Sequence, residues 1–272
     1  MRVVILSDIH GNSIALDALL ADIKSRGGAD EYWVLGDLAA LGHDPCGALQ
    51  RLYALPNVHI TRGNTDRYLV TGERPYPHLD DIAQDPSLLQ RYVEVAQSFA
   101  WTQGAITRDG WQEQLAQLPL EFRYILPDGT RVLGVHAAPG TDDGAGIHPR
   151  LTTAELESLI ADSNADLVLV GHTHWAMDIR VGEKRVVNLG SVSLAPMPDL
   201  RAKYTLLQAD ANGCLLEHHL VDYDRQAVIS ALNQIHHPAG DFIIQFMRGE
   251  KMPAFSKGLS AAEAEHLGLP VT

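Results

Sequence analysis

The sequence predicts an α/β (α+β) protein, on three observations. Short β-branched or aliphatic runs alternate with longer stretches whose apolar positions fall at helical spacing, and the early runs are joined through such stretches. Hairpin signals, Pro127-Asp128-Gly129 and Asn212-Gly213, enter only past the middle of the chain. Several of the aliphatic runs end abruptly in a polar residue or a glycine. Crossover connections between the first strands imply a largely parallel start to the sheet.

Taken in order, residues 3–6 form a buried strand and 13–20 a helix. A strand at 32–35 leads through a Gly/Pro loop to a helix at 46–55, and 58–60 is the next strand. Residues 67–120 break the rhythm with helical patterning at 90–100 and 112–118, which marks a helical insertion. Residues 122–126 and 131–135 flank the Pro-Asp-Gly turn as a hairpin. Further strands fall at 166–170, 184–188 and 204–208, and a helix is expected at 226–235. Residues 236–272 carry no clear pattern, so 1–222 reads as the main domain and 223–272 as a C-terminal extension.

Composition bounds the function. The 272 residues are 46% hydrophobic and 20% charged, ordinary for a globular enzyme with a sizeable core. A formal net charge of −13 repels long nucleic acid and anionic membranes. A small phosphorylated substrate stays compatible with it, because bound cations invert the local potential. Two cysteines make no disulfide framework, and no apolar run reaches the roughly 18 residues of a membrane span. A reducing, cytoplasmic setting is the expectation; oligomeric state is not readable.

The chemistry stands at the strand ends. The run 3–6 leads into Asp8 and His10, and 33–35 into Gly36-Asp37. The run 58–60 leads into Gly63-Asn64, 132–135 into His136, and 167–170 into Gly171-His172-Thr173-His174. Ligands of layered α/β folds bind beyond the carboxyl ends of strands, so these residues are expected to converge on one rim. Extended backbone would point both members of Asp8/His10 and of His172/His174 to the same side. Any one of these residues alone reads as a turn, a cap or a surface group. All seven in order at strand ends read as a metal site. Four imidazoles, two carboxylates and an amide exceed one tetrahedral ion and suit two divalent transition-metal ions sharing a carboxylate. Mixed N/O donors without thiolate favour Mn, Fe or Zn.

The blocks Asp8-x-His10, Gly36-Asp37, Gly63-Asn64-x-Asp66, His136 and Gly171-His172-x-His174 resemble the calcineurin-like metallophosphoesterase superfamily. Ser7 to Asn12, Gly42, Asp44-Pro45, Trp101-Thr102, Leu118-Pro119-Leu120 and Asn188-x-Gly190-Ser191 resemble its small prokaryotic phosphodiesterase-like branch. The resemblance implies a four-layer αββα sandwich with a dimetal site at one sheet edge. It implies that Asp8, His10 and His174 hold one metal, that Asn64, His136 and His172 hold the other, and that Asp37 bridges. It further implies hydrolysis of a phosphodiester, phosphoanhydride or small phosphorylated metabolite by a metal-bridging hydroxide, with Asp37 and Asn64 in the catalytic set. The rival from another class is a non-catalytic metal-binding scaffold on the same fold.

One position departs from the pattern. The family's third block commonly has His after Asn; here it is Thr65, a poor general acid. That favours substrates with good leaving groups. His43, a few residues past Asp37, is either a substitute proton donor or a loop histidine. Arg62 and Arg67 contact either phosphate or a surface acid. Asp66 is expected to orient a ligating histidine, and Asn12 and Thr65 to lie beside the ligands or the substrate. The aromatic residues of the insertion line the metal rim or form a small core of their own.

Overall fold

In a computed structural model, residues 1–251 are described. Two five-stranded sheets face one another. The strands are β1 (Arg2–Leu6), β2 (Glu31–Leu35), β3 (Val58–Thr61), β4 (Glu121–Ile125), β5 (Arg131–Val135), β6 (Leu167–Val170), β7 (Met177–Val181), β8 (Lys184–Asn188), β9 (Ala202–Asp210) and β10 (Gly213–Val221). The helices are α1 (Ser13–Ser25), α2 (Pro45–Tyr53), α3 (Asn64–Thr71), α4 (Leu79–Gln84), α5 (Leu89–Arg108), α6 (Gln112–Ala116), α7 (Thr153–Ile160), α8 (Arg225–Gln234) and α9 (Gly240–Met247). One sheet runs β10-β9-β1-β2-β3 and the other β4-β5-β6-β8-β7. The pairs β1–β2, β2–β3 and β5–β6 are parallel across helical crossovers, and β6–β8 is parallel with β7 in the connection between them.

Side-chain alternation builds the layers. Along β1, Val3 and Ile5 face the second sheet and join Trp33, Leu169 and Val187 in the core between the sheets. Val4 and Leu6 face the other way, against α1 and α2 residues such as Leu16, Leu19 and Leu49. Beyond the second sheet, Leu156 and Ile160 of α7 cover Leu133, Val168 and Val186. The order of layers is therefore helix, sheet, sheet, helix, the αββα sandwich. Among the described residues, no helix is long and apolar enough to cross a membrane.

Several elements depart from the sequence-based expectations, β7 and α7 among them. The stretch just after residue 239, expected to be unpatterned, forms α9; residues 252–272 of that stretch lie outside the described residues. Ile243, Ile244 and Met247 of α9 pack with Val228 and Leu232 of α8 and with Leu194 of the main domain, so the extension docks on the sandwich. The 90–100 helix extends from Leu89 to Arg108 and carries most of the insertion.

The α8–α9 connection is anchored by a buried histidine. His237 lies edge-on to Trp101 at 4.8 Å between ring centroids and accepts a hydrogen bond at Nδ1 from the Ala239 N–H. Burial, with His43 nearby, lowers its pKa from 6.5 to about 4. The unfolded chain therefore takes up the proton first. The stabilisation is complete above pH 6.5 and is lost as pH falls towards 4. A His237→Gln variant is expected to lose less of its melting temperature than the parent between pH 7 and pH 4.5. Equal losses in the two proteins would remove His237 from this role.

Candidate metal centre

Each ligand candidate sits in the first residues beyond a strand of the central sheets, where the chain turns away. Asp8, His10, Asp37, His172 and His174 all have positive φ, at 58°, 47°, 55°, 68° and 62°. The extended backbone expected for the Asp8/His10 and His172/His174 pairs is thus corrected: left-handed turns, not strand pleating, aim these side chains. Such conformations cost roughly 1–3 kcal/mol each and persist only where surroundings fix them. Here inter-segment hydrogen bonds do so, including Asp8 N to Gly36 O (3.1 Å), His10 N to Asp37 O (2.9 Å) and Gly171 N to His136 O (2.8 Å). Two glycines permit the close approach. A Cβ on Gly63 would strike the Asp37 carboxylate, and one on Gly171 would strike Ser7 Oγ and Asp8 Oδ2.

The histidine tautomers follow from their outer partners. Nδ1 of His10, His136 and His174 lies 3.0, 2.7 and 2.9 Å from the carbonyls of Ala40, Leu35 and Leu194. A carbonyl only accepts, so each Nδ1 carries the proton and each Nε2 lone pair faces inward. His172 is reversed: Nε2 donates to Gly144 O at 2.9 Å, leaving Nδ1 inward.

The inward atoms form two groups of lone pairs. His10 Nε2 and His174 Nε2 are 3.1 Å apart, and the buried Asp8 Oδ1, which has no hydrogen-bond donor, is 3.9 and 3.3 Å from them. Asn64 Oδ1 is 3.2 Å from both His136 Nε2 and His172 Nδ1. Asp37 spans the groups, with Oδ2 3.6 Å from His10 Nε2 and Oδ1 3.4 Å from His136 Nε2. Acceptors facing acceptors at these distances repel unless a cation lies among them. The donor set therefore fits divalent metal ions, and Asp8-His10-His174 and Asp8-Asp37-His136 each converge tightly enough to hold one.

Electrostatics point the same way. Burial disfavours charge on Asp8 and Asp37, but His174 and His136 beside them outweigh it and hold both carboxylates ionised. Burial likewise works against a charged His136, yet Asp37 and Asp8 raise it to about 10, whereas burial prevails at His10 and lowers it to about 4. Without metal, a proton on His136 supplies the positive charge that the buried carboxylates demand.

The remaining candidates are distributed around this centre. Asp66 is fully buried and accepts from the N–H groups of Asp37 (2.8 Å), Leu38 (3.0 Å) and Gly63 (2.9 Å). It orients the backbone of the ligand loops, not a histidine ring as the sequence suggested. Asn12 caps α1 through Ala15 N and donates to Ser193 Oγ. Arg62 and Arg67 are ion-paired with Asp142 at 2.6 and 3.0 Å, an acid that no sequence pattern marks. His43 is not brought to the ligands: its Nε2 faces Ser13 Oγ at 3.3 Å, and it lines a separate cavity with Cys46 and Trp101. Ser7 Oγ donates to Asp8 Oδ2 at 2.6 Å, and Asn188 donates to Gly171 O at 2.8 Å, fixing ligand segments from outside. Over the centre opens a cavity of about 360 Å³ whose floor includes His10, Asp37, Asn64, His172 and His174.

Known proteins resemble this chain in sequence and fold. Residues 1–212 match the calcineurin-like phosphoesterase superfamily domain. An uncharacterised protein of Methanocaldococcus jannaschii is 28% identical over 174 residues, 63% of this chain and 62% of that one. A symmetrical bis(5'-nucleosyl)-tetraphosphatase of Pectobacterium atrosepticum is 30% identical over 93 residues, 32% of this chain and 33% of that one. The chain thus spans less than two thirds of either relative. Among solved structures, a hypothetical protein from Pyrococcus horikoshii superposes with a TM-score of 0.74 at 21% identity, covering 90% of this chain and 97% of that one. A metallophosphoesterase from Sphaerobacter thermophilus gives 0.70 at 22%, covering 92% and 99%, and both likenesses concern the fold. The matched domain spans most of the chain and contains every inward-facing ligand atom, and the chain belongs to the calcineurin-like phosphoesterase superfamily.

Proposed function

We propose that the chain is a metal-dependent phosphoesterase acting on phosphodiesters. The observation that carries this reading is the pair of facing lone-pair groups, which have no purpose in a metal-free scaffold and are costly to bury. Asp8, His10 and His174 would hold one ion and Asn64, His136 and His172 the other, with Asp37 placed to serve both. Two bound divalent ions would polarise the phosphoryl oxygens and lower the pKa of a water from 15.7 to about 7.

The protein's own groups set the rest. Carbonyl-bound Nδ1–H groups hold the rings in place, Asp66 fixes the loops, and Thr65 N–H donates to Asp37 Oδ1 at 3.0 Å. Thr65 occupies the place where an imidazole would protonate a leaving group. His43 does not replace it, because it lines a separate cavity. A diester with a good leaving group is therefore favoured over an alkyl monoester. Arg91, Glu94 and Asp241 line the same cavity.

The test is hydrolysis of bis-p-nitrophenyl phosphate by chelator-stripped protein resupplied with Mn²⁺, Fe²⁺ or Zn²⁺. Turnover is expected to return with metal and to be accompanied by a higher melting temperature, since an ion bound only by the native state stabilises it. A metal that binds tightly with no turnover would shift the reading to a binding protein.

A further inference from the structure

The walls of the cavity differ in kind from its floor. α9 is apolar on two faces. Ile243, Ile244 and Met247 are buried in the extension's core, while Phe242 and Phe246, one turn apart with ring centroids 5.3 Å from each other, are half-buried and line the cavity. A surface helix needs one apolar stripe to dock; a second, aromatic stripe lining a cavity is a recognition surface. Across from it, the insertion contributes Tyr76, Val95 and Phe99, with Tyr76 54% exposed.

Polar atoms on the walls are few and unusual. Thr65 Oγ1 and Ser98 Oγ line the same cavity, belong to residues only 5% and 1% exposed, and have no hydrogen-bond partner. Buried hydroxyls left unpaired beside a cavity hold hydrogen-bonding capacity that a rotation about χ1 would turn towards a ligand. Arg91, Glu94 and Asp241 are the charged wall residues, and two cations lie on the aromatic rings: Lys251 Nζ is 5.2 Å from the Phe242 ring centroid and the Arg74 guanidinium carbon 5.4 Å from that of Phe99. A volume of about 360 Å³ is enough for one ring system next to a phosphoryl group.

We propose that the C-terminal extension and the insertion together form a specificity pocket for a phosphodiester with one aromatic arm, packed against Phe242 and Phe246. Thr65 and Ser98 hydrogen-bond its ester or ring-substituent oxygens. This rests on the phosphodiesterase reading for the identity of the bound phosphoryl group. It goes beyond that reading in assigning selectivity to residues outside the metal-binding loops.

The test uses the full chain loaded with Mn²⁺ and compares benzylphosphonate with methylphosphonate by calorimetry, so that no bond cleavage is needed. Burying a ring against two phenylalanines is worth tenfold in affinity or more, so benzylphosphonate is expected to bind at least about tenfold tighter. The ratio is expected to fall towards one in Phe242→Leu/Phe246→Leu, which keeps an apolar contact while removing both rings. Tyr76→Ala, at an exposed position, is expected to reduce the ratio without changing the melting temperature. Equal affinities in the parent, or a ratio unmoved by the paired substitution in a folded protein, would overturn the pocket. A normal ratio in a protein that cleaves no phosphodiester would leave the pocket standing and sink the hydrolase reading instead.

Discussion

An Asp37→Asn protein is expected to lose phosphodiester hydrolysis by on the order of 10³-fold while keeping its fold. Asparagine has the same shape, and its Oδ1 can still accept the Thr65 N–H that now reaches Asp37 at 3.0 Å. What it lacks is the negative charge whose two oxygens span the two lone-pair groups, and its amide offers an N–H where an acceptor is required. The fold does not suffer, because three carboxylates are buried here together. Burial and the Asp37 charge push Asp66 up to about 7, so removing that charge relieves a neighbour. The measurement is bis-p-nitrophenyl phosphate turnover with saturating Mn²⁺ beside a thermal melt. Activity within tenfold of the parent would deny Asp37 its bridging place.

Asp66→Ala is expected to have the largest effect on stability, a loss of about 3–5 kcal/mol in denaturant unfolding. The substitution strands three buried N–H groups at once, those of Asp37, Leu38 and Gly63, in a region closed to water. Each orphaned donor costs roughly 1–3 kcal/mol, and only partial relaxation is open to loops held in left-handed conformations. Asp66→Asn is expected to fall between, because its single oxygen can satisfy part of the set. Metal affinity should drop in parallel, since Asp37 and Asn64 are carried by the loops that Asp66 joins. A loss under about 1 kcal/mol for the alanine variant would mean that those N–H groups find other partners.

Much of this centre was legible in the sequence because its chemistry is local. Asp8, Asp37, Asn64, His136 and His172 each follow an aliphatic run closely, so strand ends and ligand candidates could be read together. The parallel order of β1, β2 and β3 followed from the helices between them. What was not legible depends on distant segments. The pairing of Arg62 and Arg67 with Asp142 joins residues 75 or more apart, and nothing around Asp142 advertises it. The left-handed turns at Asp8 and His10 are held by hydrogen bonds to other loops, and the i, i+2 spacing suggested pleated backbone instead. The helix α9 escaped because Phe242, Ile243, Ile244 and Phe246 cover both of its faces, which erases the periodicity that reveals an amphipathic helix. β7 escaped because Met-Asp-Ile-Arg-Val is short and half polar, as suits an edge strand whose outer side faces water.

The outer partners of the four histidines are all main-chain oxygens, those of Leu35, Ala40, Gly144 and Leu194. Every amino acid brings the same carbonyl. Substituting any of these four residues changes a side chain but cannot delete the acceptor that aims the ring. Point mutation is therefore a weak way to misalign the imidazoles from behind; the backbone itself must shift. What selection must keep at those positions is the path of the main chain: Leu35, Ala40 and Leu194 are buried, and Gly144 sits at a φ of 95° that favours glycine, so packing and backbone geometry there hold the rings indirectly.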